Sequence, residues 1–328
     1  DSSGAFDSDT DEWLGRIYGA TPMANLGWSL EGHGTQVDYS DGRKNESEMY
    51  RALMNYRFAP EIRVSASLGS ERNDYISGNA QTWRTHGYGF DWSPSERTML
   101  SAFRERRFFG NGHTVTFTHR TPLTSWRVSD TRDVSLAPNN LTTVGLGSIY
   151  DLMYNMYQSS IPDPIQREAF VRSLLQRGGI AANSQVLGGF LSSQATVQRQ
   201  QEISVALLGA RNTVTFLASR SENQRLGSTL GSGAGDFAVT SSIRQRGFSM
   251  NWAHHLTPLS TLSVMASQQN SAGDANIQST KLRALTVSYS TKFDPKTTAS
   301  LGVRRALFES SVNPYQENAI TGTLSVIF

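Results

Sequence analysis

Five arginines carry the chemistry that this sequence can be expected to do: Arg51, Arg57, Arg63, Arg127 and Arg304. Arg51 and Arg57 alternate with Tyr50, Ala52, Met54, Tyr56 and Phe58. Arg63 alternates with Ile62, Val64, Ala66 and Leu68. A guanidinium is permanently charged and presents a planar fork that matches carboxylate or phosphate. If the apolar residues face lipid, these arginines face a lumen, because an arginine on the lipid side costs about 2–4 kcal/mol at mid-depth. Inward-facing arginines favour anions. The competing expectation is that they pair with lumenal acids such as Glu202. Of 30 basic residues only four are lysines, so fixed planar contacts are favoured throughout.

Other chemistries find little support. There is no cysteine, which excludes disulfides and thiolate metal sites. His254 and His255 are adjacent and would project oppositely from a strand. No nucleophile elbow, zinc-binding His-Glu pair or phosphate-binding glycine loop appears, so neither an enzyme nor a metal or other cofactor is expected. A net charge of +2 gives no reason to expect nucleic acid.

The elements that must hold the arginines are strands. Apolar residues recur at every second position in segments of about ten residues, rather than at helical spacing. The last segment shows it best. Ile320, Gly322, Leu324, Val326 and Phe328 fall on one face and Ala319, Thr321, Thr323 and Ser325 on the other. An alternating strand ending on an aromatic residue has the form of the closing strand of an outer-membrane barrel, so Gly322, Leu324, Val326 and Phe328 are expected to serve as its assembly signal. No run approaches the ~18–20 apolar residues of a membrane helix, but a transmembrane strand needs only ~9–11.

The connections alternate too. Short ones, often built on proline, occur at Ala59-Pro60-Glu61, Ser93-Pro94-Ser95, Thr121-Pro122-Leu123, Thr257-Pro258-Leu259 and Asp294-Pro295-Lys296. Between them come mostly longer stretches rich in Gly, Ser, Asn and Asp. Short turns at one end and long loops at the other describe an up-and-down transmembrane β-barrel. The segments from residue 25 onward number fourteen, within a range of twelve to sixteen. Residues 1–24 read as a periplasmic tail, 25–328 as the barrel, and both termini as periplasmic.

Residues 137–190 interrupt the pattern. Ile149, Tyr150, Leu152, Met153, Tyr154, Met156 and Tyr157 form an apolar run without a period of two, suited to plugging the lumen or docking a partner. Ile165, Ala169, Val171, Leu174 and Leu175 then give helical spacing, with Asp163 as the cap and Pro164 in the first turn. Plug and extracellular lid are both open readings of this insert.

Several stretches carry a family resemblance. Trp92-Ser93-Pro94-Ser95-Glu96-Arg97-Thr98, Arg107-Phe108-Phe109-Gly110-Asn111, Phe117-Thr118-His119-Arg120-Thr121-Pro122, Trp126, Gly209-Ala210-Arg211-Asn212-Thr213, Arg304-Arg305 and Glu317-Asn318-Ala319-Ile320-Thr321 resemble the outer-membrane proteins found with PEP-CTERM/exosortase exopolysaccharide systems. The resemblance spans roughly residues 82–328. It implies a barrel in the outer membrane of a Gram-negative bacterium, linked to exopolysaccharide production or export, and supplies no catalytic residues. The expectation is a porin-like conduit for exopolysaccharide or another anionic polymer or solute. The alternative is a non-conducting barrel that anchors a larger envelope assembly. Expected partners are outer-membrane lipid, the barrel assembly machinery and periplasmic or envelope polysaccharide-export proteins.

Overall fold

The computed structural model describes residues 8–21, 25–39, 44–76, 79–135, 139–140, 163–177, 190–191, 195–226, 240–274, 279–294, 297–310 and 314–326. Its strands are β1 (Ser8–Ala20), β2 (Leu26–Tyr39), β3 (Lys44–Ala59), β4 (Ile62–Asn73), β5 (Gln81–Ser95), β6 (Thr98–Arg107), β7 (Gly110–Arg120) and β8 (Thr124–Ser135). Two-residue pieces β9 (Asn139–Asn140) and β10 (Phe190–Leu191) pair with each other around helix α1 (Pro164–Arg177). Then follow β11 (Thr196–Leu208), β12 (Asn212–Arg225), β13 (Ser242–Thr257), β14 (Ser260–Gly273), β15 (Thr280–Lys292), β16 (Thr297–Ser310) and β17 (Tyr315–Val326).

Apart from the β9–β10 pair, these strands form one fifteen-stranded antiparallel sheet in which every strand neighbours the next in sequence, with β8 meeting β11. This is the up-and-down order of a transmembrane barrel. Among the described residues β1 pairs only with β2, and β17 only with β16. The sheet is strongly curled. Leu14 on β1 and Val134 on β8 line the same cavity although seven ladder steps separate their strands, which would be about 34 Å in a flat sheet.

The short turns gather at one end and the longer connections at the other. Side chains lock several turns from within. Thr121 Oγ1 accepts hydrogen bonds from the amides of Leu123 (3.3 Å) and Thr124 (2.9 Å), and Thr257 Oγ1 from that of Leu259 (3.2 Å). Asp294 Oδ1 accepts from the amide of Thr297 at 2.8 Å. The ladder shifts register beside three of these turns, at Arg57/Ala59, Trp92/Ser95 and His255/Thr257. At the long-loop end, β6 turns into β7 through Phe108 and Phe109, and Gly110 takes φ = 103°, a left-handed conformation that favours glycine.

Residues 8–20, expected to belong to the tail, form a strand, and the sheet has fifteen strands among the described residues, within the expected range of twelve to sixteen. Ser8 and Val326 lie at opposite ends of the sheet. The strand escapes detection because its faces are mixed. Asp9 and Asp11 share the outward face with Trp13 and Ile17, while exposed Leu14 and Tyr18 sit on the lumenal face beside Glu12 and Arg16.

The outward face records how the barrel sits in lipid. On eight strands the continuous apolar outward row breaks at a defined position toward the long-loop end, at Val115, Val128, Ile203, Ala218, Phe248, Leu285, Val303 and Ile320, although Val134, Val197 and Leu307 take outward positions again beyond it. The next outward residues are His113, Asp130, Gln201, Arg220, Arg246, Arg283, Arg305 and Asn318. Followed through the ladder from Val115 to Ile320, this border slips by six residues over eight strand-to-strand steps. At ~3.3 Å per residue and ~4.8 Å between strands, a level border then implies a strand tilt of roughly 27°. Outward residues from Leu285 to Phe293 span roughly 24 Å at that tilt, close to the ~25 Å apolar band of a transmembrane barrel.

Candidate functional site

The candidate site is the lumenal wall, and its two halves differ. In the half built by β1–β8 the inward residues are charged and cross-linked. Arg16 Nε meets Glu31 at 3.1 Å, Glu31 meets Arg51 at 3.0 Å, and Arg51 meets Glu105 at 3.3 Å. Ser67 Oγ donates to Glu105 at 3.4 Å, and the Arg51 guanidinium lies over the Phe103 ring, 5.8 Å from its centre. A second cluster joins Arg107 to Glu71, with Nε to Oε2 at 3.0 Å, and to Asp133. Glu71 is fully buried and Glu105 nearly so.

Local sequence explains this packing. Arg51 on β3 reaches Glu105 on β6 across two intervening strands, and those strands carry small inward residues where it passes. Gly87 and Gly89 on β5 leave room for the Phe103 ring, which lies 3.0 Å or less from where a Cβ at either would be. Arg104, Glu105, Arg106 and Arg107 share one strand by alternation: Glu105 and Arg107 face inward, Arg104 and Arg106 outward.

These clusters frame a cavity of about 660 Å³ near the long-loop end, lined by Arg16, Glu31, Arg51, Phe103, Glu105 and Arg107 among others. The two clusters together set three arginines, Arg16, Arg51 and Arg107, against four carboxylates, Glu31, Glu71, Glu105 and Asp133. At its rim the Tyr75 and Phe108 rings meet at a tilt of 53°, and Phe108 also meets Trp83. Burial pushes the Tyr75 hydroxyl well above the ordinary tyrosine range.

The five sequence-predicted arginines all fall on the lumenal face in the observed register, but they are not equivalent. Arg51 is held between two glutamates, and Arg304 pairs with Glu317 at 3.7 Å. Arg57, Arg63 and Arg127 lie nearer the short-turn end, and among the described residues no carboxylate forms an ion pair with them, although Asp91 stands opposite Arg63 across β4 and β5. Arg57 and Arg63 stand directly opposite one another across β3 and β4. A like-charged cross-strand pair is unfavourable unless an anion lies between. The three that remain available to a solute are therefore Arg57, Arg63 and Arg127.

In the half built by β11–β16 the inward wall is mostly uncharged and packed, with Glu202, Arg225 and Arg304 among the exceptions between small and polar residues. Ser204, Thr215, Ser249, Asn251, Ser263 and Ala306 are all buried, whereas outward Ile203, Phe248 and Leu285 on neighbouring positions are exposed. Ser263 and Ser288 hydrogen-bond across the ladder at 2.7 Å. Glu202, the expected arginine partner, is buried on this wall.

Helix α1 starts as its sequence predicts. Asp163 Oδ1 accepts from the amides of Ile165 (2.9 Å) and Gln166 (3.4 Å), which caps the helix. Of the residues expected on its apolar face Val171 is buried, with Arg167 one turn before it, while Ile165 and Ala169 are exposed. The apolar run Ile149–Tyr157 and the terminal Phe328 lie outside the described residues. Gly322 and Leu324 occupy the exposed outward face of β17, and Val326 pairs with Thr297. His254 and His255 do face opposite sides. His254 is outward beside Asn212, at 2.8 Å, and His255 inward beside Thr261, at 3.0 Å.

No family model matches this chain, and no curated protein matches it. Among solved structures it is similar to a bacterial polysaccharide outer-membrane secretin, with 8% identity over 97% of this chain and 91% of that one at a TM-score of 0.36. It is similar to a loop-deletion mutant of OmpT, an outer-membrane protein of Vibrio cholerae, with 6% identity, 97% and 99% coverage and a TM-score of 0.38. It is also similar to OccK3 of Pseudomonas aeruginosa, with 9% identity, 97% and 93% coverage and a TM-score of 0.34. Likeness at this level carries no functional information, and the barrel architecture rests on the strand pairing and the two faces described above.

Proposed function

We propose that this porin-like outer-membrane barrel is a conduit that favours anionic solutes or polymers, exopolysaccharide segments among them. The observation that carries this reading is the group Arg57, Arg63 and Arg127 on the lumenal face near the short-turn end, the first two exposed and the third half-buried, with no ion-paired carboxylate among the described residues. A polymer bearing carboxylates could exchange between such arginines without displacing a fixed internal partner. The ion-paired cavity above them contributes position rather than selectivity, since its arginines are already neutralised.

A second reading has its own support. The buried inward wall of β11–β16 leaves less open lumen than a fifteen-stranded sheet would otherwise enclose. On that reading the barrel does not conduct and instead anchors an envelope assembly, such as polysaccharide-export proteins of the kind expected with PEP-CTERM systems.

Single-channel recording in planar bilayers under a salt gradient separates the two. Conductance with an anion-directed reversal potential is expected, moving toward neutrality in a triple variant Arg57→Gln, Arg63→Gln, Arg127→Gln. Acidic polysaccharide should block the wild type more strongly than the variant. A folded barrel that never conducts would remove the conduit and leave the anchor.

A further inference from the structure

Inside, Arg16, Arg51, Arg107 and Arg304 each meet a carboxylate. Outside, basic residues follow the upper edge of the apolar band. One ladder row reads Arg104, His113, Arg132, Arg199, Glu222, Arg244 across six neighbouring strands. The row beneath it contains Arg220 directly opposite Arg246. Arg132 and Arg199 are also direct cross-strand neighbours.

Internal partners account for only part of this charge. Arg199 is bound by Asp130, at 2.7 Å, and Arg244 reaches Glu222 at 3.4 Å. Arg220 is 3.9 Å from that same Glu222. Among the described residues no acid pairs with Arg246, and its side chain is exposed. Five arginines of β8–β13 thus share two carboxylates. The next outward row toward mid-membrane is Val128, Ile203, Ala218 and Phe248, all apolar and all exposed. A ligand that satisfies both rows must be anionic at one end and apolar along the other.

We propose that the outward patch around Arg220 and Arg246 holds the phosphate of an anionic lipid in the leaflet on the long-loop side, with the acyl chains lying on Ile203 and Phe248. Charge complementarity supplies the phosphate site, because facing guanidiniums repel until an oxyanion bridges them. Continuity with the apolar band supplies the rest, since a soluble anion would leave Ile203 and Phe248 unused.

The test uses the purified, folded barrel in detergent, with native mass spectrometry counting retained lipids. The probes are phosphatidic acid and diacylglycerol of identical chains, which differ only in the phosphate. Retention of phosphatidic acid should exceed that of diacylglycerol by about tenfold. The double variant Arg220→Gln, Arg246→Gln should erase this preference, while Arg57→Gln, Arg63→Gln on the lumenal face should leave it intact. Arg220→Lys, Arg246→Lys, which keeps the charge, should retain much of it. Phe248→Ala should weaken phosphatidic acid retention without altering any binding of inorganic phosphate. Equal retention of both lipids would overturn the proposal. So would displacement of the lipid by millimolar inorganic phosphate, which would indicate a free-anion site. Heat-dependent gel mobility confirms in each case that the variant is folded.

Discussion

The two halves of the lumenal wall are built by the same alternation and yet differ in kind. From β1 to β8 the inward positions hold Arg16, Glu31, Arg51, Glu71, Glu105, Arg107 and Asp133, which satisfy one another across the curl of the sheet. Along β13, β14 and β15 the inward residues between the strand ends are serine, threonine, asparagine, glutamine and small or apolar ones, and many are buried. A charged wall tolerates an open, hydrated space beside it. A neutral wall of small side chains tolerates close packing, because no ion must be stripped of water to bury it. The difference shows how one period-two pattern can supply a cavity on one side and a closed surface on the other.

The sharpest way to break this contrast is to remove an ion from the charged wall. Arg107→Met strands the fully buried Glu71 carboxylate beside Asp133. Loss of one partner of a buried pair costs about 3–5 kcal/mol. Urea unfolding followed by tryptophan fluorescence should show that loss, and the double variant Glu71→Gln, Arg107→Met should recover most of it. An unchanged midpoint for Arg107→Met would mean that the cluster is not holding the wall.

The reciprocal experiment adds a charge to each wall. Ser249→Arg places an unpaired ion on the buried face of β13 and should cost about 3 kcal/mol. Thr114→Arg, on the exposed inward face of β7, should stay within about 0.5 kcal/mol of wild type. Equal costs at the two sites would erase the distinction between the halves.

Much of this was readable from the sequence, and the exceptions have physical causes. Strand alternation places all five arginines on one face, and the proline turns mark one end of the barrel. What alternation cannot reveal is who pairs with whom. Arg51 and Glu105 are 54 residues apart and meet only because the sheet bends enough to carry one side chain over two intervening strands. That bend depends on inward glycines whose role depends on the ring above them. The first strand was missed because an edge strand with acids on its outward face has no apolar row to announce it. On α1 apolar spacing points to Ile165 and Val171 alike, and only Val171 is buried, one turn from the buried Arg167.

The glycine dependence predicts a smaller effect. A methyl at Gly89 would stand 2.4 Å from Ser65 Oγ and 2.8 Å from Phe103 Cδ2. Gly89→Ala should push the Phe103 ring from its place and cost about 1–3 kcal/mol. The Phe103→Leu background should relieve part of that cost in the same unfolding assay. If Gly89→Ala is equally costly in both backgrounds, the ring is not what the glycine accommodates.

The smallest effect concerns the long-loop end of the neutral half, where Asp274 clasps β13 to β14. Its Oδ2 accepts from the amides of Ser241 (3.0 Å) and Ser242 (3.1 Å) and from the Ser241 hydroxyl at 2.6 Å. The Ser242 hydroxyl donates to Oδ1, and the Asp274 amide donates to Thr240 Oγ1 at 2.8 Å. Hydrogen bonds from Ser241 and then Ser242 hold this carboxyl well below the usual carboxylate range. A lowered folded-state pKa means the ionised form stabilises the clasp. Its contribution is therefore complete above the ordinary aspartate value of about 3.9 and is lost as pH falls through the lower folded value. The group is solvent-exposed, so the whole effect should stay within about 1 kcal/mol. Hydrogen exchange at the Ser241 and Ser242 amides should lose protection as the medium is acidified below about pH 4, after correction for the intrinsic rate. Asp274→Asn should show reduced protection already at neutral pH, with little further change on acidification. Identical pH profiles for wild type and variant would show that the closure of this rim does not depend on the carboxylate.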